Sequence, residues 1–218
     1  MNDILGKVYR KCSFRLLDFM DEVNDRRICG RSLVEFVPSL DQDVDKGIGG
    51  TGSQSTHYII LKEVFSHVRL KASDAFMDVG CGKGRVLAYL ASVKCPCQVY
   101  GIEHNEAVGN IAREWAARYP NVHVMIGDAF AVDYNDYTVL SVANSFLINT
   151  RLAFIEHLEN HLRHPITLLH WWGMGTGFDG RAGWTLKYRE KMDTIRGLKV
   201  VSGEQYFYIW EYDPAQRA

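Results

Sequence analysis

The chain has 218 residues, of which 47% are hydrophobic and 23% are charged, and its formal net charge is −1. This length accommodates one domain with a full core and a small extension. The near-neutral charge gives no reason to expect nucleic acid or an anionic membrane as a partner, and no apolar run approaches the roughly 20 residues that span a bilayer. Because the N-terminus lacks the pattern of a secretory leader, we expect the five cysteines to be reduced in a cytoplasmic protein.

The first 50 residues are predicted to form an N-terminal extension. Between residues 3 and 27, apolar residues recur in steps of three and four, which predicts one amphipathic helix. These apolar residues are Leu5, Val8, Cys12, Leu16, Phe19 and Val23. A polar, Gly-rich stretch, "LDQDVDKGIGGTGSQST", follows and contains the best domain boundary in the chain. We therefore predict a lid or dimer element over residues 1–50 and a main domain over residues 51–218.

In the main domain, short β-rich runs alternate with helical patterns. The predicted strands are residues 75–79, 98–103, 122–126, 138–143, 166–172, 197–201 and 206–212. The predicted helices between them are residues 84–93, 106–118 and 150–162, with a weaker crossover at 130–136. This alternation predicts an α/β fold, a three-layer sandwich around a seven-stranded, mostly parallel, doubly wound sheet. The last two runs are separated by a tight turn and predict a terminal antiparallel hairpin.

Three glycines follow the first predicted strand in "FMDVGCGKGRVLAYL". Ligands of open parallel sheets bind beyond the carboxyl ends of the strands, and Gly80, Gly82 and Gly84 allow positive φ and a close approach to the backbone. The pattern of a P-loop is absent. A dinucleotide loop needs a small residue where Arg85 stands, and the carboxylate of Asp78 would repel a pyrophosphate. A cationic nucleoside therefore fits this loop better than a phosphate-bearing one.

The segment "DVGCGKG", residues 78–84, resembles the first motif of the class I S-adenosylmethionine (SAM)-dependent methyltransferases. The predicted strand order with its terminal hairpin is also similar to that family. The resemblance implies that SAM is the cofactor and S-adenosylhomocysteine the product. It further implies that Asp78 and the loop of Gly80, Gly82, Lys83 and Gly84 bind the methionine end of the cofactor.

Two more acids stand at predicted strand ends. Glu103 lies 19 positions after Gly84, a spacing at which a carboxylate accepts both hydroxyls of a ribose. The resemblance implies that His104 packs against adenine, and that Asp128 and the backbone N–H of Ala129 bind its edge. The alternatives are a solvated helix-start residue for His104 and a helix N-cap for Asp128.

The acceptor side is less distinctive. Methyltransferases that act on amino groups carry an Asn or Asp followed by two prolines at the end of the fourth strand. Both prolines are missing after Asn144, which counts against methylation of a nucleobase. The candidate catalytic residues are Asn144, His57 and His170. The alternatives are a turn residue for Asn144, a simple helix-capping segment around His57, and a buried, hydrogen-bonded side chain for His170.

No metal is expected, because His157, His161 and His164 share a predicted solvent-facing side of one helix. The predicted function is a SAM-dependent methyltransferase with an unidentified acceptor, for which a small molecule or a protein side chain is favoured over nucleic acid. The alternatives are an inactive SAM-binding subunit or sensor and, with less support, an NAD-linked oxidoreductase. The assembly is expected to be a monomer or a homodimer, without a membrane partner.

Overall fold

The structure is a computed structural model that describes residues 2–39, 42–172, 177–201 and 203–217. Within these ranges, one sheet contains seven strands: β1 (Ala75–Val79), β2 (Gln98–Glu103), β3 (Val122–Ile126), β4 (Val139–Ala143), β5 (Ile166–Trp171), β6 (Trp184–Lys191) and β7 (Tyr206–Tyr212). The same ranges contain five α-helices: α1 (Asn2–Cys29), α2 (Tyr58–Ser66), α3 (Arg85–Ser92), α4 (Glu106–Ala116) and α5 (Ile148–His161). None of these helices is long and apolar enough to cross a membrane.

The strand order is β3-β2-β1-β4-β5-β7-β6. Strand β7 is antiparallel to both β5 and β6, and strands β1 to β5 are parallel. One core cluster joins the sheet to α1, α2, α3 and α4, and a second joins its other face to α5. The structure therefore confirms the predicted three-layer α/β fold. Between β1 and β4 the strand order reverses, and a crevice opens at the carboxyl ends of these strands.

The terminal hairpin is confirmed, but its first strand was predicted wrongly. Its partner for β7 is β6. Within the predicted run 197–201, Leu198–Lys199 instead pairs with Thr194–Ile195 as a separate two-stranded ribbon. Strand β6 is mostly exposed and rich in Lys, Arg and Glu, as is common where charges protect a sheet edge from further pairing. It therefore lacks the apolar alternation from which a strand is predicted.

Helix α1 is confirmed, but its predicted apolar stripe remains exposed within this chain. The exposed fractions are 65% for Leu5, 53% for Val8, 46% for Leu16, 65% for Phe19 and 53% for Val23. The helix turns a different face to the body of the protein. That face consists of Ser13, Leu17, Asp21, Asp25, Ile28 and Cys29.

Arg85 binds the two acids on the buried face of α1. Its Nη2 lies 2.6 Å from Oδ2 of Asp25, and its Nη1 lies 2.9 Å from Oδ2 of Asp21. All three side chains are at most 3% exposed. Asp21 also accepts the backbone N–H of Tyr58 at 3.1 Å, and Asp25 accepts that of Leu33 at 2.8 Å. The acids of α1 therefore fasten it to the first turn of α3 and to the start of α2.

Residues 47–56, called the strap below, cross the carboxyl edge of the sheet. On one side, Ser53 forms a β-bridge with Val37. On the other side, Gly50 forms a β-bridge with Phe146, and Gly49 accepts the N–H of Leu147 at 2.8 Å. The Gly-rich segment predicted as a domain boundary is thus hydrogen-bonded to the loop after β4.

Candidate functional site

A cavity of about 360 Å³ lies at the carboxyl ends of β1, β2 and β4. This volume is within the range of small-molecule sites, and the position is the switch point of the sheet. The glycine loop, the strand-end acids, the strap and the loop after β4 line it. The predicted cofactor-binding residues in its lining are Asp78, Gly80, Gly82, Lys83, Glu103, His104, Asp128 and Ala129.

The chain's own packing accounts for the three glycines of the loop. Gly80, Gly82 and Gly84 have φ values of 72°, 58° and 84°, in the left-handed region that favours glycine. A Cβ atom on each would lie only 2.5, 2.6 and 2.8 Å from the nearest atom. These neighbours belong, in order, to Ser145, Ser53 and Trp115. A ligand's approach is therefore not the only reason for the glycines, and Gly84 packs against α4 rather than lining the cavity.

Asp78 is buried beneath the loop, with an exposed fraction of 2%. The hydroxyl of Ser141 donates to its Oδ1 at 2.5 Å. Burial is the main cause that raises the pKa of this carboxyl, the Ser141 hydrogen bond opposes it, and the nearby charge of Glu103 adds to it, so that the pKa is about 7. A cation bound in the cavity would favour the ionised form.

Glu103 is held by two backbone donors. Its Oε2 accepts the N–H of Gly82 at 2.8 Å, and its Oε1 accepts the N–H of Asn105 at 2.8 Å. Asn105 itself caps α4, because its side chain accepts the N–H of Val108 at 3.2 Å. These bonds orient the carboxylate, whose oxygens retain lone pairs for further donors such as the two hydroxyls of a ribose.

Asp128 caps the short 3₁₀ turn Ala129–Ala131. Its Oδ1 accepts the N–H of Phe130 at 2.9 Å, and the side chain is exposed. The capping alternative is therefore realised, while Asp128 also lines the cavity next to Ala129. His104 is exposed and lines the same region.

The cavity lining includes one lysine, Lys83, and one arginine, Arg85, and both bind other groups of the protein. The ammonium of Lys83 donates to the backbone carbonyl of Glu35, and burial lowers the pKa of Lys83 to about 8. Arg85 is bound to the acids of α1. Neither cation is left to neutralise a phosphate, which counts against a dinucleotide. The cavity instead offers three carboxylates, those of Asp78, Glu103 and Asp128. These suit SAM, which carries a ribose diol, an adenine amine and a sulfonium cation.

Asn144 lies at the border of the cavity. It has a φ of 52°, and its carbonyl accepts the hydroxyl of Thr51 at 2.5 Å. The residues on either side of it line the cavity, but Asn144 is not among the lining residues. The hydroxyl of Ser145 donates to the carbonyl of Val79 at 2.6 Å. This loop therefore presents Ser145 and Phe146 rather than the predicted amide.

The structure brings neither His57 nor His170 to the cavity lining. Nδ1 of His57 lies 2.7 Å from Oδ2 of Asp21, which ties the start of α2 to α1. His170 is fully buried, with its Nδ1 3.0 Å from the carbonyl oxygen of Val142, and burial lowers its pKa to about 4. Residues 173–176, which follow β5 closely, lie outside the described residues.

The three histidines of the α5 region do not share one solvent-facing side. The helix ends at His161, so His164 lies beyond it, and His157 packs against Phe130 and Phe154. Among the described residues, the group with metal-ligand spacing is Glu63, His67 and Glu190. None of these three lines the cavity.

Sequence reasoning missed Ser141, Ser145 and the partners of Arg85. Nothing in the strands marks the two serines, because their roles depend on hydrogen bonds to residues more than 60 positions away. The sequence contains one indication that Asp21 and Asp25 are buried. They follow Leu17 at steps of four, and acids on a helix face with apolar neighbours can be buried only when paired.

Residues 76–164 match a family model described as a methyltransferase domain. With the strand order and the cavity at the switch point, this match identifies a class I SAM-dependent methyltransferase domain in the chain. SAM is the methyl donor of such a domain. The predicted family, cofactor and class of enzyme are thereby confirmed for this domain, and its acceptor is left open.

Known relatives differ in their acceptors. The chain is 26% identical to a histone-lysine N-methyltransferase, H3 lysine-79 specific, of Gibberella zeae, over 72% of this chain and 32% of the relative. It resembles the fold of an RNA methyltransferase from Salinibacter ruber in complex with S-adenosyl-L-homocysteine, with a TM-score of 0.56, 17% identity and coverage of 73% of this chain and 94% of that one. A SAM-dependent O-methyltransferase from Thermotoga maritima gives a TM-score of 0.54 at 15% identity, over 74% and 67% of the two chains. The chain spans about a third of the length of the histone methyltransferases that it matches.

Proposed function

We propose that the protein transfers the methyl group of SAM to an amine, and that this amine is a lysine side chain of a protein. The observation that carries the proposal is the direction of the hydrogen bonds made by two hydroxyl groups in the cavity lining. Thr51 donates its proton to the carbonyl of Asn144, and Ser145 donates its proton to the carbonyl of Val79. Their oxygens can therefore only accept a hydrogen bond from a bound group, as the N–H of an amine requires.

The lining next to these hydroxyls also lacks a base. Within the described residues, the strap and the loop after β4 contribute only uncharged side chains to the cavity, among them Thr51, Gln54 and Phe146. An alcohol acceptor needs a positioned base to remove its proton. An amine that has already lost its proton to solvent presents a lone pair and needs no base in the protein. The protein's part is then to position the nitrogen in line with the methyl group.

On the donor side, the residues are assigned binding roles. SAM, when bound, supplies a methyl group made electrophilic by the sulfonium. Glu103 accepts the ribose hydroxyls, Asp128 and the N–H of Ala129 bind the adenine edge, and His104 packs against the ring. Asp78 lies beneath the loop that holds the methionine end, where its carboxylate favours the cation. Asn144, His57 and His170 are assigned no proton transfer.

Two further features favour a lysine over a small amine. Ile48 and Ile148 are 49% and 45% exposed, and the strap turn at Gly47 packs on Ile148. Ile48 also lines the cavity, so its apolar surface suits the aliphatic stem of a lysine. The relatives that are named histone-lysine methyltransferases act on such a side chain, although the chain spans only about a third of their length.

The test is methyl transfer from labelled SAM to fractionated protein, RNA and small-molecule extracts. We expect label in the protein fraction, located on lysine by mass spectrometry, and a kcat/KM that rises with pH as the acceptor amine loses its proton. Label in RNA would refute the lysine, and label in alkali-labile esters would refute the amine. Measurable SAM binding with no transfer to any fraction would instead support the inactive subunit.

Variants separate the two sides of the site. Thr51→Val should raise the KM for the acceptor without changing the affinity for SAM, and Thr185→Val on the exposed edge strand is the matched control. Glu103→Ala removes two charge-assisted bonds, so SAM affinity should fall at least about tenfold in calorimetry. NAD should give no signal with the parent protein. Tight NAD binding in place of SAM would refute the donor assignment itself.

A further inference from the structure

One face of α1 carries a continuous row of exposed side chains at coiled-coil spacing. Successive members are four and three residues apart in turn, as in the a and d positions of a heptad. The row, called the α1 seam, is Leu5, Tyr9, Cys12, Leu16, Phe19 and Val23. Five members have exposed fractions between 46% and 65%, and Cys12 is also exposed. Single exposed apolar residues are normal on a monomer, but a row along about five turns of helix marks a contact surface.

The opposite face of α1 is already used within the chain. Leu17 is buried in the core, and Asp21 and Asp25 bind Arg85. The hydroxyl of Tyr9 donates to the carbonyl of Gly197, which fixes the helix near its first turns as well. The helix is therefore held with the apolar side chains of the seam turned outward, and the hydroxyl of Tyr9 is a seam group that also attaches α1 to the body of the protein.

The charges beside the seam indicate how a second α1 would lie. Arg15 and Glu22 stand one heptad apart on the same flank, directly before Leu16 and Val23. On this flank, Lys11 and Arg15 lie in the first half of the helix, and Asp18 and Glu22 lie in the second half, with Arg26 following in the last turn. Antiparallel packing brings Arg15 of each copy to Glu22 of the other. Parallel packing would place Lys11 and Arg15 of the two copies side by side.

We propose that the protein is a homodimer in which the α1 seams of two copies pack antiparallel against each other. A two-fold axis passes between Leu16 and Phe19, so Leu16 packs against Phe19 of the other copy and Cys12 against Val23, and each contact occurs twice, as a closed isologous interface requires. The exposed side chain of Met20 lies next to this axis and adds to the apolar contact. Glu22 already pairs with Arg26 on the helix surface at 2.7 Å, and such an exposed pair is exchanged readily for an intermolecular one.

Sedimentation equilibrium between about 1 and 100 µM tests the proposal, the range covering ordinary dimer affinities. The parent should sediment at twice the chain mass of 24.8 kDa. Leu16→Lys with Phe19→Lys should give a monomer with an unchanged circular dichroism spectrum and melting temperature. The matched control, Val93→Lys with Leu186→Lys, alters residues that are 54% and 42% exposed elsewhere on the molecule and should stay dimeric.

A charge exchange tests the orientation. Arg15→Glu or Glu22→Arg alone should raise the dimer dissociation constant about three- to tenfold, and the two changes together should restore it. A parent that is monomeric at the highest concentration refutes the proposal, as does a dimer that survives the double lysine variant. A monomeric parent that binds vesicles of anionic phospholipid through the same residues would make the seam a membrane-facing surface instead. Single charge changes that are not rescued in the double variant would refute the antiparallel arrangement.

Discussion

The carboxyl edge of the sheet, where SAM is proposed to bind, and the buried face of α1 both contain buried or half-buried carboxylates. The partners of these carboxylates differ between the two regions. Asp78 and Glu103 accept hydrogen bonds from a hydroxyl and from backbone N–H groups, which are neutral donors. Asp21 and Asp25 are bound to the guanidinium of Arg85. A carboxyl group with only neutral hydrogen-bond donors has no positive charge beside it within the protein, so a cationic ligand can supply that charge. A carboxylate that is already paired with a guanidinium, as Asp21 and Asp25 are, stabilises the fold instead.

The largest effect is expected where the carboxylate is paired with a guanidinium. Asp25→Ala leaves the guanidinium of Arg85, which is 3% exposed, with only part of its partners. Removing one member of a buried ion pair costs about 3–5 kcal/mol, so the free energy of unfolding in urea should fall by that amount. Asp18→Ala, on the exposed side of the same helix, is the control and should change it by less than about 0.5 kcal/mol. Equal stability of the two variants would contradict a structural role for the α1 acids.

These two regions also differ in how far the sequence predicts them. At the carboxyl edge of the sheet, the acids follow consecutive strands, and the glycines mark a local backbone conformation, so the order of the chain alone brings Asp78, Glu103 and Asp128 together. In α1, periodicity correctly predicts the helix but identifies only its apolar face. The face that is buried depends on Arg85, about 60 positions away, and no local pattern records that pairing. Strand β6 was not predicted for the same reason. Its own sequence is polar, and it is a strand because it pairs with β7.

A pH titration sharpens the comparison at Asp78. Burial raises the pKa of this carboxyl in the folded protein to about 7, above the unfolded value of about 3.9. The folded state therefore holds the proton more tightly, so the stability of the ligand-free protein should fall as the pH rises from about 4 to about 7.

SAM affinity should change in the opposite direction, because its cation favours the ionised carboxylate. Between pH 5.5 and 7, affinity in calorimetry should rise about tenfold. Asp78→Asn is the control, with a flat profile over the same range. A profile in Asp78→Asn as steep as the parent's would assign the titration to another group.

The smallest effect is expected at Asp128, where an exposed carboxylate both caps a turn and lines the cavity. The chain offers a matched control in Asp133, which caps the next 3₁₀ turn, Tyr134–Asp136, by accepting the N–H of Asn135 at 3.0 Å. Both Ala variants lose a cap, so both should lower the melting temperature slightly and to a similar extent. Only Asp128→Ala removes an acceptor for the adenine amine.

We therefore expect SAM affinity to fall about fivefold in Asp128→Ala, less than a fully buried charged bond would give because water competes at an exposed site. Asp133→Ala should bind SAM like the parent. Asp128→Ser adds a third measurement, since serine restores the cap without the charge. If Asp128→Ser recovers stability but not affinity, the carboxylate contacts the ligand in addition to capping the turn. If all three variants bind SAM like the parent, Asp128 is a cap alone, and the adenine edge must be bound by the backbone of the same turn.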